Sequence, residues 1–171
     1  MLKISKKVEY GLISLLHIGD LPEEAEPVSS REIAEHYHIP PDLLGKILQA
    51  LTRGGLIQST HGARGGYRLD RPLEAISIGD VVEAVEGPVQ LTACSHGDDS
   101  CPQASTCTIR GPVEQVQEML VRFISGISLA TFKADGALPS LTESTNCICG
   151  VCTCSSHKQI AKIMASVPSA P

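Results

Sequence analysis

The sequence predicts a mainly α-helical fold carrying one small β-hairpin, and three observations predict it. Val8, Leu12, Leu15 and Leu16 share one helical face, as do Leu43, Leu44, Ile47, Leu48 and Leu51, which is the spacing of amphipathic helices. Between these helices, Ile39-Pro40-Pro41-Asp42 reads as a turn that opens a new helix. Farther on, two short apolar runs flank the glycine-rich tip His61-Gly62-Ala63-Arg64-Gly65-Gly66, the pattern of a hairpin.

The first helix should run from Ser5 to Ile18, with a basic start, and end at the acidic loop Asp20 to Pro27. Ser29-Ser30-Arg31-Glu32 reads as a capping box: Ser29 accepts from the Glu32 amide while the Glu32 carboxylate returns to the Ser29 amide. A short helix through Ala34 and His36 follows. Pro41 suits the first position of the third helix, since a proline lacks only an amide that would have no partner there. That helix turns Leu43, Leu44, Ile47, Leu48 and Leu51 inward, leaves Asp42, Gly45, Lys46, Gln49 and Arg53 outward, and stops at Gly54-Gly55. Strands Leu56 to Ser59 and Tyr67 to Leu69 then enclose the glycine-rich tip. Helix, helix, turn, helix and hairpin in this order make a winged helix-turn-helix, in which caps, turn prolines and hairpin all agree. A winged-helix module for protein interaction is the alternative.

Ser77-Ile78-Gly79-Asp80 begins another capped helix, with Val81, Val82 and Val85 on its apolar side and Gly87-Pro88 at its end. Pro112 opens a long helix whose stripe is Val113, Val116, Met119, Leu120, Phe123, Ile124 and Ile127. So wide a stripe, beyond a domain that already has its core, suggests a dimerisation helix, with folding back onto its own domain as the alternative. The chain then divides into a winged helix-turn-helix at 1–88, a cysteine loop at 89–111, the dimerisation helix at 112–133, and a Cys-rich, mostly disordered tail at 134–171. One short helix near Gln159 to Met164 is expected within the tail.

Charge directs the winged helix toward DNA. The whole chain carries a net charge of −5, so attraction to a polyanion must be local. From Asp42 to Arg71 the basic residues Lys46, Arg53, Arg64, Arg68 and Arg71 face only two acidic ones, Asp42 and Asp70. A recognition helix in the major groove would present Asp42, Gly45, Lys46 and Gln49, and Arg64 at the wing tip would reach an adjacent minor groove. Arg53, Arg68 and Arg71 suit phosphate contacts or surface ion pairs, and Ser29, Arg31 and His61 complete the candidate DNA-binding set. With two Phe, three Tyr and no Trp, the chain lacks the aromatic platforms of single-strand binders. No nucleophile–base pair, phosphate-cradling loop or Cys-x2-Cys redox motif argues for an enzyme with a small-molecule substrate. No apolar stretch approaches membrane-spanning length.

Three of the seven cysteines, Cys94, Cys101 and Cys107, fall in one loop that has almost no large apolar residue to fold around. Ligated thiolates would supply the ordering, because metal binding free energy becomes local folding free energy. The Cys-x6-Cys-x5-Cys spacing lacks the tight knuckles of zinc ribbons, so iron–sulfur ligation is the better reading. The alternative is a flexible loop whose cysteines pair only on oxidation. An odd cysteine count, and an early apolar run interrupted by Glu9 and His17, suggest no secretory leader and a reduced, cytoplasmic setting. In the tail, Cys147, Cys149, Cys152 and Cys154, followed by His157, have the thiol density of a metallothionein-like chelator and form a candidate second metal site, with adventitious chelation the alternative.

Residues from Met1 to about Lys133 resemble the Rrf2 family of bacterial winged-helix regulators. The match is carried by Leu2-Lys3-Ile4-Ser5-Lys6, the turn and helix Ile39 to Leu51, Gly55-Leu56-Ile57, the wing Gly62 to Leu69, and Ile76 to Gly87 leading into the cysteines. Glu86-Gly87-Pro88-Val89 followed by Cys94-Ser95 and Cys107 looks most like the SUF-system regulators of iron–sulfur cluster assembly. The resemblance implies a homodimeric repressor that binds double-stranded operator DNA and holds a cluster, 2Fe–2S favoured and 4Fe–4S the alternative, on Cys94, Cys101 and Cys107. Where some members place a histidine as fourth ligand, this chain has Arg110, which cannot ligate. Glu9, from the first helix of the partner subunit, matches the acidic ligand of other members, and His96 is a local alternative. Two departures stand out: Gly45, where isc-type members carry an acidic residue, and the cysteine-rich tail. A regulator responding to nitric oxide or redox state, or a thiol-only switch without a cluster, would share this architecture.

Overall fold

Ser5 starts the first helix, α1 (Lys6–Gly19), by accepting from the Val8 amide with its hydroxyl at 3.4 Å. The computed structural model describes residues 3–22, 25–62, 65–92, 103 and 106–133. The buried stripe of α1 is Val8, Gly11, Leu15 and Ile18 with Ser14 beside it, whereas the expected Leu12 and Leu16 are half-buried. The stripe is rotated because α1 crosses two neighbours at once. A Cβ on Gly11 would stand 3.3 Å from Val81, tighter than most real Cβ contacts, and 3.7 Å from Ile47, in ordinary contact, so the bare backbone lets α1 sit close to both neighbours. Ser14 is tolerated at the same level because its hydroxyl donates to the Tyr10 carbonyl at 2.7 Å.

Helices α2 (Ser30–Tyr37) and α3 (Pro41–Arg53) are joined by His38, Ile39 and Pro40. Of the capping box expected at Ser29, one arm forms: the Glu32 amide donates to Ser29 Oγ at 3.1 Å, while the exposed Glu32 carboxylate stays in solvent. The complete box stands at α4 (Ile78–Glu86), where Ser77 and Asp80 bond reciprocally at 3.1 and 2.8 Å. Strands β1 (Ile57–Thr60) and β2 (Gly66–Leu69) pair antiparallel in the register Ile57 to Leu69 and Thr60 to Gly66. Val28 pairs with Tyr67 beyond them, which ties the segment before α2 to the wing.

The core lies where α1, α3 and α4 meet, with Leu15, Leu44, Leu48, Leu51, Ile57, Ile76 and Leu129 all closed to solvent. Each such side chain stabilises the fold by about 2 kcal/mol relative to exposure. The single helix expected over 112–133 is instead two, α5 (Arg110–Ser125) and α6 (Leu129–Lys133). Pro112 sits third in α5, where its missing amide is still one that no helical carbonyl awaits. Gly126 ends α5, and Ile127 leaves the stripe for the core, since the Ile78 amide donates to its carbonyl at 3.0 Å and the Leu129 amide donates to Ile76 at 2.8 Å. A continuous helix would have carried Ile127 and Leu129 away from that burial. The expected tail, its short helix and Cys147 to Cys154 lie outside the described residues.

Candidate nucleic-acid interface and cysteine loop

The turn before α3 is set by His38, whose φ of 54° and ψ of 39° place a non-glycine residue in the left-handed region. Histidine is among the residue types enriched there. The reversal lets Ile39 bury and its amide donate to the Ala34 carbonyl at 3.0 Å, so α3 leaves the turn at a defined angle. The proline pair marked this turn in sequence; the role of His38 carried no such mark.

Burial of Leu44, Ile47, Leu48, Ala50 and Leu51 leaves the opposite face of α3 to Asp42, Lys46, Gln49 and Arg53, all exposed. Among the described residues, neither Lys46 nor Arg53 has an ion-pair partner, so both cations are available to an external anion. The other candidates are differently placed. Ser29 is half-buried with its hydroxyl engaged as a helix cap. Arg31 is exposed but bonded to Glu35 at 2.7 Å, and that carboxylate, first through the hydrogen bond and then through its charge, raises the guanidinium pKa. On the wing, His61 is exposed, and Arg68, also exposed, donates to the Ala25 carbonyl. Arg64 lies outside the described residues. Arg71 is half-buried with its Nε enclosed and without a hydrogen-bond partner among the described residues.

The cysteine loop is anchored at both ends. The Leu91 amide donates to Gln117 Oε1 of α5 at 3.1 Å, and α5 itself packs on α4. Cys107, a free and half-buried thiol, lies three residues before the start of α5; Cys94, Cys101 and His96 lie outside the described residues. Among the described residues, no three His, Cys, Asp or Glu side chains converge on a metal position. Glu9 sits in the first turn of α1, bonded to Lys6 Nζ at 2.5 Å, and that bond and its charge raise the Lys6 pKa. The face of α5 that carries Val116, Met119 and Phe123 is 55, 64 and 45% exposed, and no residue of α5 is buried. Also among the described residues, no helix is long and apolar enough to cross a membrane.

The model of the Rrf2 family, described as an iron-dependent transcriptional regulator, matches residues 4–135. The protein rrf2 of Nitratidesulfovibrio vulgaris is 32% identical over 137 residues, covering 80% of this chain and 91% of that protein. Among solved structures, CymR, the global cysteine regulator of B. subtilis, is 26% identical with a TM-score of 0.59, covering 79% of this chain and 98% of that one. The T. potens IscR is 27% identical with a TM-score of 0.60, covering 79% and 88%.

Proposed function

Since the chain belongs to the Rrf2 family of iron-dependent transcriptional regulators, we propose that it is a homodimeric repressor of iron–sulfur cluster assembly genes, reading operator DNA in the cytoplasm and sensing cluster status through an iron–sulfur cluster on Cys94, Cys101 and Cys107. One observation carries the sensing part of this reading. The three cysteines fall inside the matched residues, on the segment joining α4 to α5, whereas Cys147 to Cys154 fall outside them.

The donor chemistry fits the group. Cysteine thiolates are the usual ligands of iron–sulfur clusters, most often four of them, and of the three that this segment offers Cys107 is a free thiol. Glu9, or His96, would complete the set; Glu9 must exchange Lys6 for the metal. A bound cluster supplies a centre whose charge and integrity respond to iron and oxidants.

The rest belongs to the chain itself. Lys46, Gln49 and Asp42 of α3 meet the major groove, Arg53 and the wing residues His61, Arg64 and Arg68 meet phosphates or the minor groove, and the open face of α5 meets a second copy. The segment bearing the cysteines leads from α4, which packs against α1 and α3, to α5. A change in that segment therefore bears on the spacing of two recognition helices, and dimer geometry selects the operator.

Anaerobic purification of the full-length chain beside a variant ending at Lys133, with iron, acid-labile sulfide, absorption and Mössbauer spectra, tests this reading. Cluster in both forms supports it; no iron or sulfide in either removes the cluster. A thiol-only switch on the same cysteines is the second reading, favoured by Cys107 being a free thiol, and that second outcome would leave it standing.

A further inference from the structure

We propose that the cleft between the end of α1, the base of the wing and α6 is a binding site for a small organic monocarboxylate with an apolar body, anchored by Arg71. None of the residues lining this cleft belongs to α3 or to the cysteine segment. Its volume is about 760 Å³, within the range that small-molecule sites occupy. The walls are more apolar than polar and come from stretches distant in sequence: Ile18 of α1, Leu21 just beyond it, Tyr67 and Leu69 of β2, Leu73 after the wing, and Ala130 of α6. Ile18 and Leu73 are buried, and Tyr67, Leu69 and Ala130 are half-buried, so the core itself holds these walls in place.

The polar groups of the cleft supply an independent observation. Three cations, Arg68, Arg71 and Lys133, line it together with three carboxylates, Glu26, Asp70 and Glu74. Lys133 pairs with Asp20 at 2.7 Å and donates to the Gly19 carbonyl at 3.2 Å. Arg68 donates to the Ala25 carbonyl, and Asp70 accepts from Gln58. Arg71 differs from both other cations. It is half-buried, its Nε is closed to solvent, and it has neither an ion pair nor a hydrogen bond among the described residues. Glu74, three residues on, is exposed and does not bond it. A guanidinium partly withdrawn from water with no acceptor loses hydration that nothing replaces, so the missing partner is an anion.

The neighbours select which anion. With three carboxylates on the same cleft, a dianionic phosphate meets more repulsion than a single carboxylate does. A carboxylate also matches the planar fork of a guanidinium. Because Nε is closed off, the bonds run from the outer nitrogens of Arg71, and the apolar body lies along Ile18, Leu69 and Leu73.

The test uses the full-length chain and titration calorimetry with straight-chain monocarboxylates from acetate to hexanoate, their matching amides, and inorganic phosphate. Affinity for the acids should rise about fourfold per added methylene along the walls, and hexanoate should bind about tenfold more tightly than hexanamide. The thermal midpoint should climb with hexanoate concentration. Arg71→Gln removes a cation that bonds nothing among the described residues, so it should melt like wild type, bind hexanoate and hexanamide alike, and keep the dependence on chain length. Leu21→Ser should do the reverse, flattening the dependence on chain length while preserving the preference for acid over amide. Equal binding of hexanoate and hexanamide by wild type overturns the proposal, as does an acid preference that survives in Arg71→Gln. Phosphate bound as tightly as hexanoate, or no binding of hexanoate up to its solubility, overturns it too.

Discussion

Gly79 of α4 lies against Ser125, the last residue of α5, so closely that a Cβ at 79 would stand 2.5 Å from Ser125 Oγ and 3.2 Å from Ser125 Cα. This contact seats the end of α5 on α4, which in turn packs on α1 and α3. Because part of the clash is with backbone, overpacking by one methyl should cost about 1–3 kcal/mol in Gly79→Ala. Adding Ser125→Gly should return part of it, and urea unfolding with an unchanged m-value would read both effects. Full stability in Gly79→Ala would mean that α5 shifts freely on α4.

The exposed face of α5 yields a second expectation. Replacing Met119→Lys and Phe123→Glu together places charges where a second copy is proposed to pack, and should convert a dimer to a monomer in sedimentation equilibrium. Since both residues are exposed in the single chain, the monomer should keep its far-ultraviolet circular dichroism. A double variant that stays dimeric would move the interface elsewhere.

DNA contacts separate by their salt dependence. Lys46→Ala and Arg53→Ala each remove a cation that has no ion-pair partner among the described residues. If each neutralises one phosphate, each should lower the slope of log K against log salt by about 1. Gln49→Ala should leave that slope alone and cost about 1–3 kcal/mol at one base pair. A slope unchanged in both cation variants would place the phosphate contacts off α3.

The proposed fourth ligand is testable apart from folding. Glu9 and Lys6 form a pair at the exposed start of α1, and such surface pairs contribute little to stability. Glu9→Ala should therefore unfold in urea at the wild-type midpoint, and faster loss of iron from it would report ligation. Retention of iron at the wild-type rate would transfer the role to His96 or another donor.

Cysteine variants distinguish the two clusters of thiols. Alanine at Cys94, Cys101 or Cys107 should abolish iron and sulfide binding and change operator affinity, leaving the thermal transition of the winged helix in place. Serine at Cys147, Cys149, Cys152 and Cys154 together should change neither iron nor sulfide content. Loss of cluster from the tail variant alone would relocate the site.

Much of this fold is written locally in the sequence. Ser5, Ser29, Ser77 with Asp80, and Gly54 each start or stop a helix through bonds within four residues, and Pro41 starts one through its fixed φ, so the sequence by itself determined the order of helices and the hairpin. The outward set on α3 was legible for the same reason, because a strongly apolar stripe leaves only one other side. Three features required the tertiary structure. α1 buries Gly11 rather than Leu12 because Val81 and Ile47, from two other helices, close in on it. His38 turns left-handed because burial of Ile39 rewards the reversal. Ile127 leaves the α5 stripe because backbone bonds to residues about fifty positions earlier in the chain, from Ile78 to Ile127 and from Leu129 to Ile76, hold this segment in the core. Caps and prolines act through neighbours in sequence, whereas the choice of buried face is made by neighbours in space, which periodicity alone does not encode.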